Sequence, residues 1–211
     1  MNYNHLIHFK YNFITKNQIF GTCWANAYAA AIFLINKTII GRKVESFETI
    51  RENLIKYACE ENIDGGNIEY PKVSYCFNSK KVYFKKIINE KEAKYALIKG
   101  SFVVCRFYLN DKQWENFKIF FSKEETRTQI LKKEDLNEGC QGNVNLCKPD
   151  SGHAVLLIEY NSEFLRFLDS NGPKMGEDGT FKVINADVLT SYTTKKNLYF
   201  LKYLLRMKIE L

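Results

Sequence analysis

The stretch "GTCWANAYAAAI", residues 21–32, opens with Gly21 and Thr22, passes through a cysteine and a tryptophan, and turns into small and apolar residues. From residue 22 to residue 36 the chain is apolar nearly all round, which suits a helix buried inside a domain. If that helix starts at Cys23, with Thr22 or Gly21 as its cap, the thiol lies among unpaired backbone N–H groups at the positive end of the helix dipole. Such a setting lowers the pKa of a thiol and makes it a nucleophile. The plainer reading, an inert buried cysteine, describes most free cysteines. The stretch thus predicts a central helix and places a candidate reactive group at its tip.

Outward from this helix, Ser46 is placed to cap a second one with apolar positions Phe47, Ile50, Leu54, Tyr57 and Ala58. A third, "NEKEAKYALIKG", stops at Gly100. Beyond residue 100 the pattern changes to β-branched and aromatic runs: "SFVVCRFYL", "FKIFF", "HAVLLIEY", "EFLRFLD", "TFKVI" and "NLYFLKYLL". These read as strands, with turns at "NSE", "SNGP" and "EDGT". A mostly helical N-terminal half and a mostly sheet C-terminal half make an α+β chain and favour two lobes.

The 211 residues are 45% hydrophobic, 15% aromatic and 26% charged, a globular soluble composition with enough chain for one large core or two small ones. The net charge of +7 can steer anionic partners toward the protein. Its lysines and arginines are scattered among 24 acidic residues, and no groove-reading motif or basic arm accompanies them, so no nucleic acid is expected. No run approaches the roughly 20 apolar residues of a membrane span, and "MNYNHLIHFKYNFITKNQ" lacks the pattern of a secretory leader. Six cysteines would permit disulfides, but a chain of this length does not need them. The reading leans to a reducing, cytoplasmic compartment.

A nucleophilic thiol needs a base, and there are three histidines. His5 and His8 have no clear chemistry around them and no third metal ligand nearby. His153 opens the strand "HAVLLIEY" directly after Ser151 and Gly152, a small residue that leaves room for a substrate. A third group should orient the imidazole. Asp169 ends a strand antiparallel to the one His153 begins, and adjacent ends of such a pair meet; taken alone, it is equally a turn-initiating aspartate.

Together these pieces resemble the papain-like cysteine peptidases. "KNQIFGTCWANAYA" is similar to that family's nucleophile segment, "NIDGGNIEYP" to its cleft-lining glycine pair, "SGHAVLLIEY" to its histidine strand and "FLDSNGPKMGEDGTFKV" to the segment of its third residue. The four follow the family's chain order and span nearly the whole sequence. The resemblance implies a papain-like two-lobe fold in one catalytic domain, 1–211. A helical lobe would run over about 11–99, and an antiparallel, β-barrel-like lobe over about 1–10 plus 100–211, with the cleft between them. It implies a cysteine-type endopeptidase in which Cys23 attacks a peptide carbonyl, His153 protonates the leaving amine, and Asp169 holds the ring. Gln18, with the Cys23 backbone N–H, would form the oxyanion hole. Gly65 and Gly66, with Trp24 and Gly152, would bind the extended substrate.

The sequence also departs from the family. Asp169 stands where an asparagine is usual and should favour the imidazolium more strongly. Asn171 replaces the tryptophan that shields the histidine contact, which predicts a wetter and weaker bond. The turn between Gln18 and Cys23 is one residue short, so Asn17 competes with Gln18 for the oxyanion position. Cys140 and Cys147 are candidates for a disulfide; with His153 they lack a fourth zinc ligand, so no metal or cofactor is expected. Residues 111–150 look longer than the matching region, as if to contact a partner or restrict the cleft. The 22 residues before Cys23 leave no room for the family's inhibitory prosegment. Either it has been removed, or a separate inhibitor or regulatory partner replaces it.

Two alternatives stay open. The same three residues would serve a deubiquitinase-like or an acyl-transferring, transglutaminase-like enzyme, and the departures fit a papain-fold peptide-binding protein with weak catalysis.

Overall fold

The computed structural model describes residues 3–4, 21–38, 45–60, 82–83, 87, 89–139, 151–189 and 203–207. Helix α1 (Cys23–Thr38) is the buried helix expected from the opening stretch. Its residues 23–32 are all buried, as suits a run that is apolar except for Asn26. Helix α2 (Phe47–Glu60) packs on α1 through Ile50, Leu54 and Ala58. The Ser46 hydroxyl accepts from the Thr49 N–H at 3.1 Å and caps it. Helix α3 (Glu90–Ile98) is capped by the Asn89 side chain, which accepts from the Glu92 N–H at 2.9 Å. It stops at Gly100, whose φ of +74° a glycine adopts without strain.

The strands are β1 (Tyr3–Asn4), β2 (Val82–Tyr83), β3 (Phe102–Leu109), β4 (Ile130–Leu131), β5 (Ser151–Tyr160), β6 (Leu165–Leu168), β7 (Thr180–Val183) and β8 (Tyr203–Met207). They form one sheet in the order β2-β8-β3-β5-β6-β7-β4, with β1 beside the far end of β5. All neighbours are antiparallel except β4 and β7. Because side chains alternate across a strand, the sheet builds two cores. Phe102, Val104, Ala154, Leu156 and Ile158 pack with α1 and α2. Val103, Cys105, Phe107, Val155, Leu157 and Phe167 pack on the other face with α3 and the helix that follows β3.

That helix corrects the strand read over "FKIFF". Residues 117–121 lie in helix α4 (Asp111–Ser122), followed by the short helix α5 (Lys133–Asn137). The start signal lies upstream of the aromatic run. The Asn110 side chain accepts from the Gln113 N–H at 2.8 Å, and the Gln113 side chain accepts from the Asn110 N–H at 3.2 Å, a reciprocal capping box. Phe117 and Phe121, four residues apart, are fully buried on one face, while Ile119 is exposed. Of "NLYFLKYLL", residues 197–202 lie outside the described residues and 203–205 belong to β8. No described helix is long and apolar enough to cross a membrane.

Candidate active site

Helix α1 begins where the sequence indicates. The Thr22 carbonyl accepts the first helical bond from the Asn26 N–H at 3.1 Å. The Asn26 side-chain amide, itself buried, donates to the same oxygen at 3.1 Å. Thr22 is therefore the cap, and Cys23 is the first helical residue, at the end of the helix where N–H groups lack internal partners. Gly21 just before it has a φ of +67°.

Strand β5 brings His153 to this helix tip. Strand β6 pairs back along β5 with Leu168 opposite Leu156, so Asp169, the next residue after β6, arrives beside the start of β5. His153 Nε2 and Asp169 Oδ1 are 2.7 Å apart, with 4% and 0% of their side chains exposed. This bond occupies Nε2 and leaves Nδ1 for the Cys23 thiol, which hydrogen-bonds the His153 ring.

Burial pushes the Cys23 thiol up, but the hydrogen bond and charge of His153, with the backbone of Ala154 and Trp24, bring it below its usual value of 9.0. Burial alone would lower His153; the Asp169 carboxylate, by charge and hydrogen bond, and then Cys23 raise it from 6.5 to about 10. Burial would raise Asp169, and the His153 charge and hydrogen bond, with the Asn171 side chain and the Ser170 backbone, hold it below 3.8. The three directions are mutually consistent: within the set, each group's charged form is favoured by the charge or hydrogen bonds of its neighbours.

The surroundings of this set correct the expectation of a wet contact beside Asn171. The Asn171 amide donates to Asp169 Oδ2 at 2.9 Å and Oδ1 at 3.2 Å, and the Ser170 N–H donates to Oδ1 at 2.6 Å. Shielding of the imidazole comes from elsewhere. Trp114 of α4 and Phe107 of β3 each lie 5.6 Å from the His153 ring, edge to face. The long segment after residue 110 thus supplies Trp114 to the buried histidine. Sequence reasoning missed Trp114, Phe107 and Asn26; the Asn-x-x-Gln cap before Trp114 was the available signal for the first.

Trp24 is 7% exposed and belongs to the α1 core cluster, which leaves little of it open to a ligand. The space above Gly152, read from the sequence as room for a substrate, is taken by this chain. A Cβ there would stand 2.7 Å from Tyr108 Cε1 and 2.8 Å from Arg106 Nε. Gln18, Asn17, Gly65, Gly66, Cys140 and Cys147 lie outside the described residues. Among the described residues, Cys59 and Cys105 are free, and no three His, Cys, Asp or Glu side chains are grouped to hold a metal. Burial pushes the Cys105 thiol far up, so it is inert.

No protein-family model matches the sequence, and no curated protein matches it. The fold is similar to that of solved cysteine proteases. Xylellain, a cysteine protease from Xylella fastidiosa, superposes with a TM-score of 0.58 at 15% identity, over 98% of this chain and 86% of that one. The Carica candamarcensis cysteine protease CMS1MS2, solved in complex with E-64, gives 0.60 at 12% identity, over 98% of each chain. Procathepsin B S9 from Trypanosoma congolense gives 0.54 at 11% identity, over 98% of this chain and 76% of that one. The chain has the mixed α+β fold of the papain-like cysteine proteases.

Proposed function

We propose that this protein is a cysteine peptidase whose nucleophile is Cys23, whose acid and base is His153, and whose orienting residue is Asp169. The observation that carries the reading is the buried line from the thiol at the tip of α1, through the His153 ring, to Asp169 Oδ1 at 2.7 Å. A core asks only for packing and hydrogen-bond satisfaction. A thiol at a helix N-terminus, beside an imidazole held by a carboxylate, is the arrangement that activates a nucleophile.

In this mechanism the Cys23 thiolate adds to a peptide carbonyl carbon, and the carbonyl electron pair moves to oxygen. That oxyanion is received by the Cys23 backbone N–H and, on the family resemblance alone, by Gln18. Collapse of the tetrahedral intermediate breaks the C–N bond, and the His153 imidazolium gives its proton to the departing amine, leaving a thioester on Cys23. Water, its proton taken by the now neutral His153, attacks the thioester and releases the acid and the thiolate. Asp169 keeps Nε2 engaged throughout, so that Nδ1 faces the reacting atoms. Gly65 and Gly66 are proposed, again on the resemblance, to pair with an extended substrate lying between a helical and a β lobe.

Labelling with an epoxide or vinyl-sulfone peptide, read by intact mass, tests the reading. One equivalent should add to the wild type and none to Cys23→Ala, while His153→Ala should react at least about a hundredfold more slowly. A folded wild type that no probe sequence labels would refute the proposal.

A further inference from the structure

Asn26 is the only amide side chain in the buried run 23–32 of α1, and no step of the mechanism above uses it. It is 5% exposed. A buried amide is costly unless its polar atoms find partners, and an alanine or leucine would suit a helix better at this position. Its partner lies one turn back. The Asn26 backbone N–H and the Asn26 Nδ2 both donate to the Thr22 carbonyl oxygen, each at 3.1 Å. The first bond belongs to any helix that starts at Cys23; the second is particular to this side chain. A carbonyl oxygen has two lone pairs, and Asn26 supplies a donor to each.

That oxygen is tied to the site through a peptide plane. The Thr22 carbonyl and the Cys23 N–H belong to one peptide unit, which is planar and trans, so the two bonds point in opposite directions. With the oxygen drawn along α1 toward Asn26, the Cys23 N–H is aimed outward from the helix end, where it has no helical acceptor. This is the N–H that receives the oxyanion in the proposed mechanism. Ahead of the unit stands Gly21, exposed and at a φ of +67°, with no side chain to brace the turn. The unit is the first plane of the helix and has a single helical bond to resist rotation about its flanking bonds. The Asn26 side chain doubles that restraint. The thiol is held by other partners, His153 and the backbone of Ala154 and Trp24.

We infer that Asn26 is a positioning residue for the oxyanion: by clamping the Thr22 carbonyl it fixes the direction of the Cys23 N–H before a substrate arrives. The inference rests on the peptidase reading, and the role is exerted through the backbone rather than by contact with the reacting atoms.

The test sets a reaction that builds an oxyanion beside one that does not. A p-nitroanilide of the peptide sequence that labels the wild type is hydrolysed through a tetrahedral oxyanion. Iodoacetamide instead alkylates the thiolate, forming a C–S bond and displacing iodide, with no carbonyl attacked. In Asn26→Leu, nearly the same size, kcat for the anilide should fall about tenfold or more, because a misdirected donor loses much of its effect. KM should stay within about twofold, the mark of an interaction made in the transition state. The iodoacetamide rate and its pH dependence should match the wild type. Asn26→Ser should recover most of kcat, since a serine hydroxyl can donate to the carbonyl four residues back. Asn26→Ala gives the same comparison should the leucine variant fail to fold. An unchanged kcat in the apolar variants, or kcat and alkylation falling by a common factor, would overturn the inference and leave Asn26 a helix-stabilising residue. So would a serine variant no faster than the alanine one. A wild type that is alkylated and labelled but cleaves no anilide overturns the inference and leaves the activated thiolate standing. A wild type that no peptide probe labels refutes the peptidase reading, and the inference falls with it.

Discussion

Asp169 differs from an amide at the same place in one property, its charge, and His153 reports it. The carboxylate is the first of the causes that raise His153 to about 10. Asn can keep the hydrogen bond to Nε2 but supplies no charge, so Asp169→Asn lets the imidazolium lose its proton more easily. If the chain is the proposed peptidase, the alkaline limb of its pH profile, which would report loss of that proton, should move to lower pH by at least about one unit, equivalent to about 1.4 kcal/mol. A profile of kcat/KM between pH 5 and 11 for both proteins checks this; an unmoved limb would assign the high His153 value to the thiolate. Asn171 is the companion residue. Its amide spans both carboxylate oxygens, so Asn171→Leu, nearly the same size, should weaken the hold on Asp169 and slow labelling of Cys23 in the same assay.

At the scale of elements, helix α4 carries the largest surprise. The residues with direct chemical signatures were legible: a cysteine after a Gly-Thr cap, a histidine opening an apolar strand, and an aspartate closing the next strand. Their geometry follows from strand pairing, which the alternating patterns announced. Trp114 was not legible, because "FKIFF" matches the composition of a strand and its helical period becomes visible only when counted from Asn110. The shield around His153 therefore comes from a segment whose aromatic composition suits a strand but whose cap and period make it a helix. Trp114→Ala should open the imidazole to water and slow labelling about ten- to a hundredfold, while Trp114→Phe, which keeps a ring, should retain most of the rate. Equal rates for Trp114→Ala and wild type would show that Phe107 suffices. The turn between Asp169 and β7 is equally demanding. Gly176 has a φ of +61°, and a Cβ there would fall 2.0 Å from the Thr180 carbonyl oxygen. Gly176→Ala should cost at least about 2 kcal/mol in denaturant unfolding.

For the molecule as a whole, the candidate site joins two cores, since Cys23 belongs to the α1 side of the sheet while His153 packs against rings of the other side. Its buried charges should therefore be felt in global stability. Asp169, held below its usual 3.8, contributes stability that is present above pH 3.8 and lost as pH falls through the lowered value. His153, raised from 6.5 to about 10, contributes stability that is complete below pH 6.5 and lost as pH rises through about 10. Cys23, lowered from 9.0, runs the other way: its contribution is complete above pH 9.0 and lost as pH falls through its lowered value. The Asp169–His153 pair thus acts at full strength between pH 3.8 and 6.5 and fades toward pH 10. Breaking a buried pair costs about 3 kcal/mol at the lower end of the measured range, or about 6–12 °C in Tm for a chain of this size. The Tm of Asp169→Asn should lie below the wild type by that amount near pH 5 and approach it near pH 10. A difference that stays constant across this range would mean that the pair holds the fold through packing and a neutral hydrogen bond, and that its charge matters only to the thiol.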